Sequence, residues 1–306
     1  MRRRGVAMKI NGVSPGKALR AMLEKPEIVV APGCYDALSA RLVERAGFKA
    51  AFMTGFGASG SILGQPDYGL MTMNEMLAVC ANMTSVLGIP LIGDVDTGYG
   101  NPLNVYRTIR EFERAGVAAV HIEDQVFPKR CGHMEKKAVI PVEEHVEKIK
   151  ACLDAREDML IIARSDARAT HGINEAIDRV LAYHEAGADI VYIDAPASVD
   201  ELRLIGQKAK GFKFVNQVER GKTPLLTTGE LQELGFDIVI FPCCTVFTAA
   251  RAMRDMLAEL KANRTTRDSL ERMATFEEYN NMVGMRELVA MEGKYKVDEF
   301  KAKLTN

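Results

Sequence analysis

Apolar residues along this chain come in short runs, separated by longer stretches in which they recur every three or four positions. Four segments repeat one local pattern: residues 44–53 (ERAGFKAAFM), 113–122 (ERAGVAAVHI), 184–193 (HEAGADIVYI) and 232–241 (QELGFDIVIF). In each, a helical stretch ends at a glycine suited to a left-handed C-cap, and an apolar, strand-like run follows within two or three residues. Counting the other apolar runs, the pattern predicts eight strands, at 27–31, 49–53, 90–95, 118–122, 159–163, 189–193, 213–217 and 237–241. Amphipathic sequence such as 38–46 and 174–186 supplies the helices between them. Eight apolar strands alternating with helices over about 250 residues predict a single (β/α)8 barrel of the TIM type. A doubly wound sheet fits less well, because residues 31–40 (APGCYDALSA) lack its glycine fingerprint. From residue 263 the chain reads as a polar-rich helical tail with no ninth strand. The expectation is one barrel domain over residues 1–306 whose tail, 263–306, packs on a neighbouring subunit.

Composition narrows the function classes. The chain has 306 residues, a formal net charge of -1 and 47% apolar residues, values of a soluble globular protein with a sizeable core. No apolar run approaches the roughly 18 residues of a membrane span, and the first ten residues (MRRRGVAMKI) lack a secretory apolar core. A cytoplasmic location follows as the default, with no membrane partner. The near-neutral charge leaves no footprint for nucleic acid. Six cysteines without a CxxC pair argue against a zinc cage or a disulfide framework. Cys34, Cys80 and Cys152 fall in apolar or helical patterns and read as packing.

In a barrel, the chemistry belongs at the carboxyl ends of the strands. Those ends carry Thr54 and Gly55, Asp94 and Asp96, His121 with Glu123 and Asp124, Arg164 with Asp166, Asp194, and Asn216 with Glu219. Asp94 and Asp96, at i and i+2, read as two carboxylates on one side of strand three. Two such charges need something positive between them; a hard divalent cation, magnesium first, answers that need once Glu123 joins from strand four. Turn and N-cap use of the same Asp and Gly residues is the plainer reading of that motif alone. His121 is placed to bond an anionic substrate or to hold Glu123. Arg164 calls for an anionic partner, either a substrate carboxylate or an ion pair with Asp166 or Asp194. His145, His171 and His184 read as surface or loop residues. The segment 127–139 follows strand four and lies over the barrel mouth; its basic residues would lower the thiol pKa of Cys131. A cysteine there can serve as a proton donor or a nucleophile, and spacing does not decide between them.

Residues 94–101 (DVDTGYGN), 121–133 (HIEDQVFPKRCGH) and 161–167 (IIARSDA) together resemble the isocitrate lyase and phosphoenolpyruvate mutase superfamily, over about residues 21–285. Residues 129–133 (KRCGH) resemble the catalytic loop of its carbon–carbon lyases. Residues 137–149 and 195–211 resemble the 2,3-dimethylmalate lyase and petal-death-protein group. The resemblance implies a barrel with its last helix exchanged between subunits, a homotetramer, and magnesium with manganese as a substitute. It implies retro-Claisen cleavage of a small 2-hydroxy dicarboxylate to pyruvate or another 2-oxo acid plus a carboxylate. Residue by residue, Asp94, Asp96 and Glu123 match the metal shell, Cys131 the general acid and Arg164 the carboxylate clamp. Thr54, Gly55, His121, Asn216 and Glu219 match pocket positions, and His121 and Glu123 join the catalytic set.

Three positions depart from the methylisocitrate lyases: Phe52 stands where a tyrosine is usual, Asp194 where a glutamate is usual, and Phe247 where an arginine binds a third carboxylate. A 2-alkylmalate is therefore the expected substrate, because a tricarboxylate would leave a charge unpaired against apolar surface. Oxaloacetate hydrolase, methylisocitrate lyase and carboxyphosphonoenolpyruvate mutase are the alternatives, and the group that deprotonates the substrate hydroxyl is left open.

Overall fold

The computed structural model describes residues 9–130 and 137–295. Eight parallel strands close into a barrel in sequence order: β1 (Val29–Cys34), β2 (Ala51–Met53), β3 (Leu91–Asp94), β4 (Ala119–Glu123), β5 (Leu160–Ser165), β6 (Ile190–Ile193), β7 (Phe212–Asn216) and β8 (Ile238–Phe241). Every apolar run became a strand. β1 extends furthest past its expected end because Pro32 and Gly33 stay paired with Phe241 of β8 and Phe52 of β2. Gly33 is required there: a Cβ would lie 2.2 Å from the Pro242 carbonyl oxygen.

Parallel strands covered on both faces are apolar on both faces, which is why the runs lack alternation. Outward side chains such as Met53, Val120, Ile122, Ile161, Val191 and Val239 pack beneath the helices. Inward ones, Phe52, Ile92, Ile162, Tyr192, Phe214 and Ile240, fill the barrel. His121 lies in that interior layer, its ring 5.5 Å from Phe52 and 6.2 Å from Tyr192 between centroids. Two residues further along, the interior rows change character: Asp94 follows Ile92, Glu123 follows His121, Arg164 follows Ile162, Asp194 follows Tyr192 and Asn216 follows Phe214. The strand period of two stacks each polar group over an apolar one, at the carboxyl end of the barrel.

Helix starts follow local capping chemistry. Asp36, Thr72, Asn101, Ser198 and Thr227 each accept from the N–H three residues on, an interaction worth roughly 0.5–2 kcal/mol. His145 corrects a sequence expectation. It is fully buried on helix Val142–Ala155, 4.6 Å from the Tyr183 ring, because it shares a face with Lys148, Ile149 and Cys152. His184 is likewise helical and only half-exposed, within Ile173–Glu185.

The chain divides into two compact units, residues 1–247 and 248–306, the division falling within helix Cys244–Asn263. The described part of the second unit is helical, with a tight turn at Arg267–Arg272 and helices Phe276–Met282 and Met285–Tyr295. There the Glu259 carboxylate accepts from the Ser269 hydroxyl at 2.8 Å and pairs with Arg272. Leu257, Phe276 and Leu288 are exposed, Phe276 by 87%. Among the described residues no helix is long and apolar enough to cross a membrane.

Candidate active site

A cavity of about 270 Å³ opens at the carboxyl ends of the strands, at the small end of the range for ligand sites. Thr54, Asp94, His121, Arg164, Asp194, Asn216 and Glu219 line it, so the structure brings together most of the residues picked from strand ends. Gly55 lies directly behind the wall: its N–H is 3.3 Å from Asp94 Oδ2, and a Cβ would come within 2.5 Å of that oxygen. Cys131 lies outside the described residues. Asp124 turns away from the cavity and serves packing, accepting from Ser165 and Tyr183 hydroxyls and the Asp166 N–H, each at 2.8 Å.

The acidic side of the cavity is built on β3 and β4. Asp94 Oδ1 accepts the Asp96 N–H at 2.9 Å and lies 3.4 Å from His121 Nε2. Asp96 differs from the sequence reading: it has left the strand, at a φ of +47°, a left-handed conformation that Asp tolerates better than most residues. Its carboxylate therefore reaches Lys129 Nζ, at 2.7 Å, rather than stacking beside Asp94. Lys129 is buried and bonds Asp67 Oδ1 at 2.7 Å as well. Glu123 is completely buried; one oxygen lies 3.1 Å from Arg164 Nη1, and Oε1 has no hydrogen-bond partner among the described residues.

Charge and burial compete across this cluster. Burial pushes the Asp96 carboxyl up to about 6 despite Lys129. Burial raises Glu123 far above the usual carboxylate range, with Arg164 only partly opposing it. For Asp94 burial works upward too, but His121 and Lys129 prevail and hold it well below that range. Burial disfavours the Lys129 ammonium, yet Asp96, Asp67 and Asp94 keep it firmly charged. Three hard carboxylates, one with an orphaned buried oxygen, fit a hydrated divalent cation. Among the described residues no three His, Cys, Asp or Glu side chains form a ready metal cage, so such a cation would keep waters among its ligands.

On β5 the Arg164 guanidinium donates to Asp166 through Nε at 2.8 Å and Nη2 at 3.0 Å, and Nη2 lies 3.5 Å from Asp194 Oδ2. The ion pairs left open by the sequence are thus formed, and Arg164 still lines the cavity. Lys137 Nζ, buried, bonds Asp166 at 2.7 Å and lies 3.4 Å from Asp194. The chain around the catalytic-loop candidate is consequently tied at residues 129 and 137 by two buried lysines. Gln125 adds a two-way bond to the Arg130 backbone, accepting its N–H at 3.0 Å and donating to its carbonyl at 2.8 Å.

The opposite wall is mostly apolar: Phe56 and Phe247 meet edge to face at 5.8 Å, beside Ile240, Pro242 and Val218, with Arg220 of the loop after β7 also lining the cavity. Between the walls, Asn216 Oδ1 and Glu219 Oε2 are buried without hydrogen-bond partners among the described residues. Sequence reasoning missed Lys129, Asp67 and Tyr192. Lys129 stood two positions before Cys131 in the basic segment, which was a usable signal. Asp67, in the loop after β2, had none.

Residues 19–261 match the family model for phosphoenolpyruvate phosphomutase. The chain is 46% identical over 279 residues to 2,3-dimethylmalate lyase of Eubacterium barkeri, covering 90% of this chain and 96% of that protein. It is also 46% identical over 280 residues to a chloroplastic carboxyvinyl-carboxyphosphonate phosphorylmutase of Arabidopsis thaliana, covering 90% and 83%. A crystal structure of a 2,3-dimethylmalate lyase superposes with a TM-score of 0.88 at 38% identity, over 92% of this chain and 96% of that one. Barrel, strand-end chemistry and similarity over nearly the whole chain agree: the chain belongs to the phosphoenolpyruvate mutase/isocitrate lyase superfamily.

Proposed function

We propose that this protein is a magnesium-dependent carbon–carbon lyase that cleaves 2,3-dimethylmalate or a related 2-alkylmalate to pyruvate or another 2-oxo acid plus a carboxylate. The observation that carries the reading is the two-sided cavity, with ionised groups from β3 to β6 facing the Phe56, Phe247 and Ile240 wall. A dicarboxylate with alkyl substituents matches both sides, and Phe247 itself offers no charge to a third carboxylate.

Asp94, Asp96 and Glu123 would hold magnesium, or manganese in its place, which when bound supplies positive charge for the oxygens of the forming 2-oxo acid. Arg164 binds the carboxylate beside the substrate hydroxyl, while Thr54, Gly55, Asn216, Glu219 and Asp194 shape the pocket around it. Lys129 pairs with Asp67 and Asp96, and His121 orients Asp94. Cleavage leaves a carbanion equivalent on the departing carboxylate, and Cys131, from the loop tied by Lys129 and Lys137, protonates its carbon. The exposed apolar side chains of the second unit, Phe276 and Leu288 among them, support a tail that packs on a neighbouring subunit of a cytoplasmic homotetramer. A concentration-independent monomeric mass would refute that assembly.

The test is a steady-state assay with magnesium on 2,3-dimethylmalate, 2-methylisocitrate, oxaloacetate and a carboxyphosphonate, for wild type and Cys131→Ser. Pyruvate from dimethylmalate, lost with the serine, supports the proposal. Oxalate from oxaloacetate as the dominant product would make the protein a hydrolase, and phosphonate turnover would make it a mutase.

A further inference from the structure

A retro-Claisen cleavage starts with removal of the substrate hydroxyl proton, and the cavity restricts which group can take it. Asp67 is tied to Lys129 Nζ at 2.7 Å and Asp94 lies 3.4 Å from His121 Nε2, so both already have partners. Phe52, stacked on one side of His121, has no hydroxyl. On the other side of His121 stands Tyr192 of β6, buried in the interior layer and lining the cavity. Its hydroxyl donates to Asp194 Oδ1 at 2.5 Å. The remaining oxygen of Asp194 faces Lys137 Nζ at 3.4 Å and Arg164 Nη2 at 3.5 Å.

Resting on the lyase reading, we infer that Tyr192 is the catalytic residue that accepts the substrate hydroxyl proton, with Asp194 behind it as the final acceptor. Two features of the site point to this assignment.

The first is economy of structure. Phe52 and Phe214 fill the same layer without a hydroxyl, and Phe214 packs 4.9 Å from Tyr192. Burying a phenol there carries a desolvation cost that a phenylalanine would avoid, and the carboxylate of Asp194 has to be buried to offset it.

The second is position. In a 2-hydroxy acid the hydroxyl is on the carbon next to a carboxylate, so its base belongs beside the group that binds that carboxylate. Tyr192 is the cross-strand partner of Arg164, whose guanidinium carbon lies 5.3 Å from the ring centroid. Glu219, whose Oε2 has no hydrogen-bond partner among the described residues, is on the loop beyond β7, two strands from β5.

The proton balance closes within these residues. The substrate O–H bond breaks and its proton joins Tyr192 Oη, while the original phenolic proton passes to Asp194 Oδ1. The C2–C3 electron pair leaves with the departing carboxylate fragment as C2=O forms. Burial, then the charge of Asp194, holds the Tyr192 phenol far above its ordinary pKa, so it works as a neutral relay and not as a standing phenolate.

The experiment compares wild type, Tyr192→Phe, Asp194→Asn and Glu219→Gln on 2,3-dimethylmalate, with inhibition by oxalate as a binding probe that has no hydroxyl proton to lose. The inference expects Tyr192→Phe to lower kcat by about 100-fold or more, with KM and the oxalate inhibition constant within about threefold of wild type. Asp194→Asn should lower kcat as well, because it removes the final acceptor of the proton. Tyr192→Phe within about threefold of wild-type kcat would overturn the assignment, above all if Glu219→Gln were the inactive variant. A parallel loss of kcat, KM and oxalate binding would reduce Tyr192 to packing and overturn it equally. A wild type unable to cleave any 2-hydroxy dicarboxylate would instead refute the proposed function, and the assignment with it.

Discussion

The two walls of the cavity are built by opposite rules. On the β3–β6 side nearly every acid in or just behind the wall already has a polar partner: Asp94 has His121, Asp96 has Lys129, Glu123 has Arg164, and Asp166 has both Arg164 and Lys137. On the opposite side Phe56, Phe247, Ile240 and Pro242 offer surface and no charge. A buried charge is tolerated only with a partner, so the first wall is held together by pairs that must be kept intact. The second can be altered one side chain at a time. The acidic wall should therefore govern turnover and stability, and the apolar wall substrate choice.

The largest effect is expected from Asp96→Ala, which removes a proposed metal carboxylate and one of the two carboxylates paired with Lys129. Turnover should fall by about 10²-fold or more, while far-ultraviolet circular dichroism and the unfolding slope stay those of the wild type. Lys129→Met attacks the same wall from the cation side. Leaving Asp67 and Asp96 buried without their ammonium should cost about 3–5 kcal/mol, read by urea denaturation of the metal-free protein. A loss below about 1 kcal/mol would show that the wall does not depend on paired charge.

A buried titratable group away from both walls sharpens the contrast. His145 is packed against Tyr183, and burial, with Lys148 and Arg179 nearby, lowers its pKa from 6.5 to about 3. The folded state binds its proton less readily than the unfolded state, so stability is complete above about pH 6.5 and falls with acid from there toward pH 3. The loss from this residue is at most about 1.4 kcal/mol per pH unit. His145→Phe should flatten thermal stability between pH 7 and pH 5 and leave KM unchanged.

The smallest effect should come from the apolar wall. Phe247→Arg would place a cation where a third carboxylate would lie and should shift the ratio of kcat/KM for 2-methylisocitrate over dimethylmalate upward by about tenfold. An unchanged ratio would remove Phe247 from substrate selection.

How far these features were legible in the sequence depended on whether a period carried them. The strands showed because parallel barrel strands are apolar on both faces, and their carboxyl-end residues showed because the change from apolar to polar is abrupt, as at Ile92–Asp94 and Ile162–Arg164. Asp67 was hidden because loop residues are placed by the course of the loop, which has no repeat, whereas Lys129 was legible from its place two positions before Cys131. Asp96 was assigned to the site on the wrong geometry, since a left-handed turn and not strand alternation sets its direction. Tyr192 was invisible for another reason: inside a strand a tyrosine reads as one more β-forming apolar residue. His145 was misjudged although the helical spacing His145, Lys148, Ile149, Cys152 was available, because two polar members masked the buried face.

The most direct test of the account is product analysis of wild-type enzyme with magnesium and 2,3-dimethylmalate. The account predicts pyruvate in stoichiometric amount, abolished by chelation and restored by magnesium or manganese. Dimethylmalate left intact while oxaloacetate is hydrolysed to oxalate would contradict it.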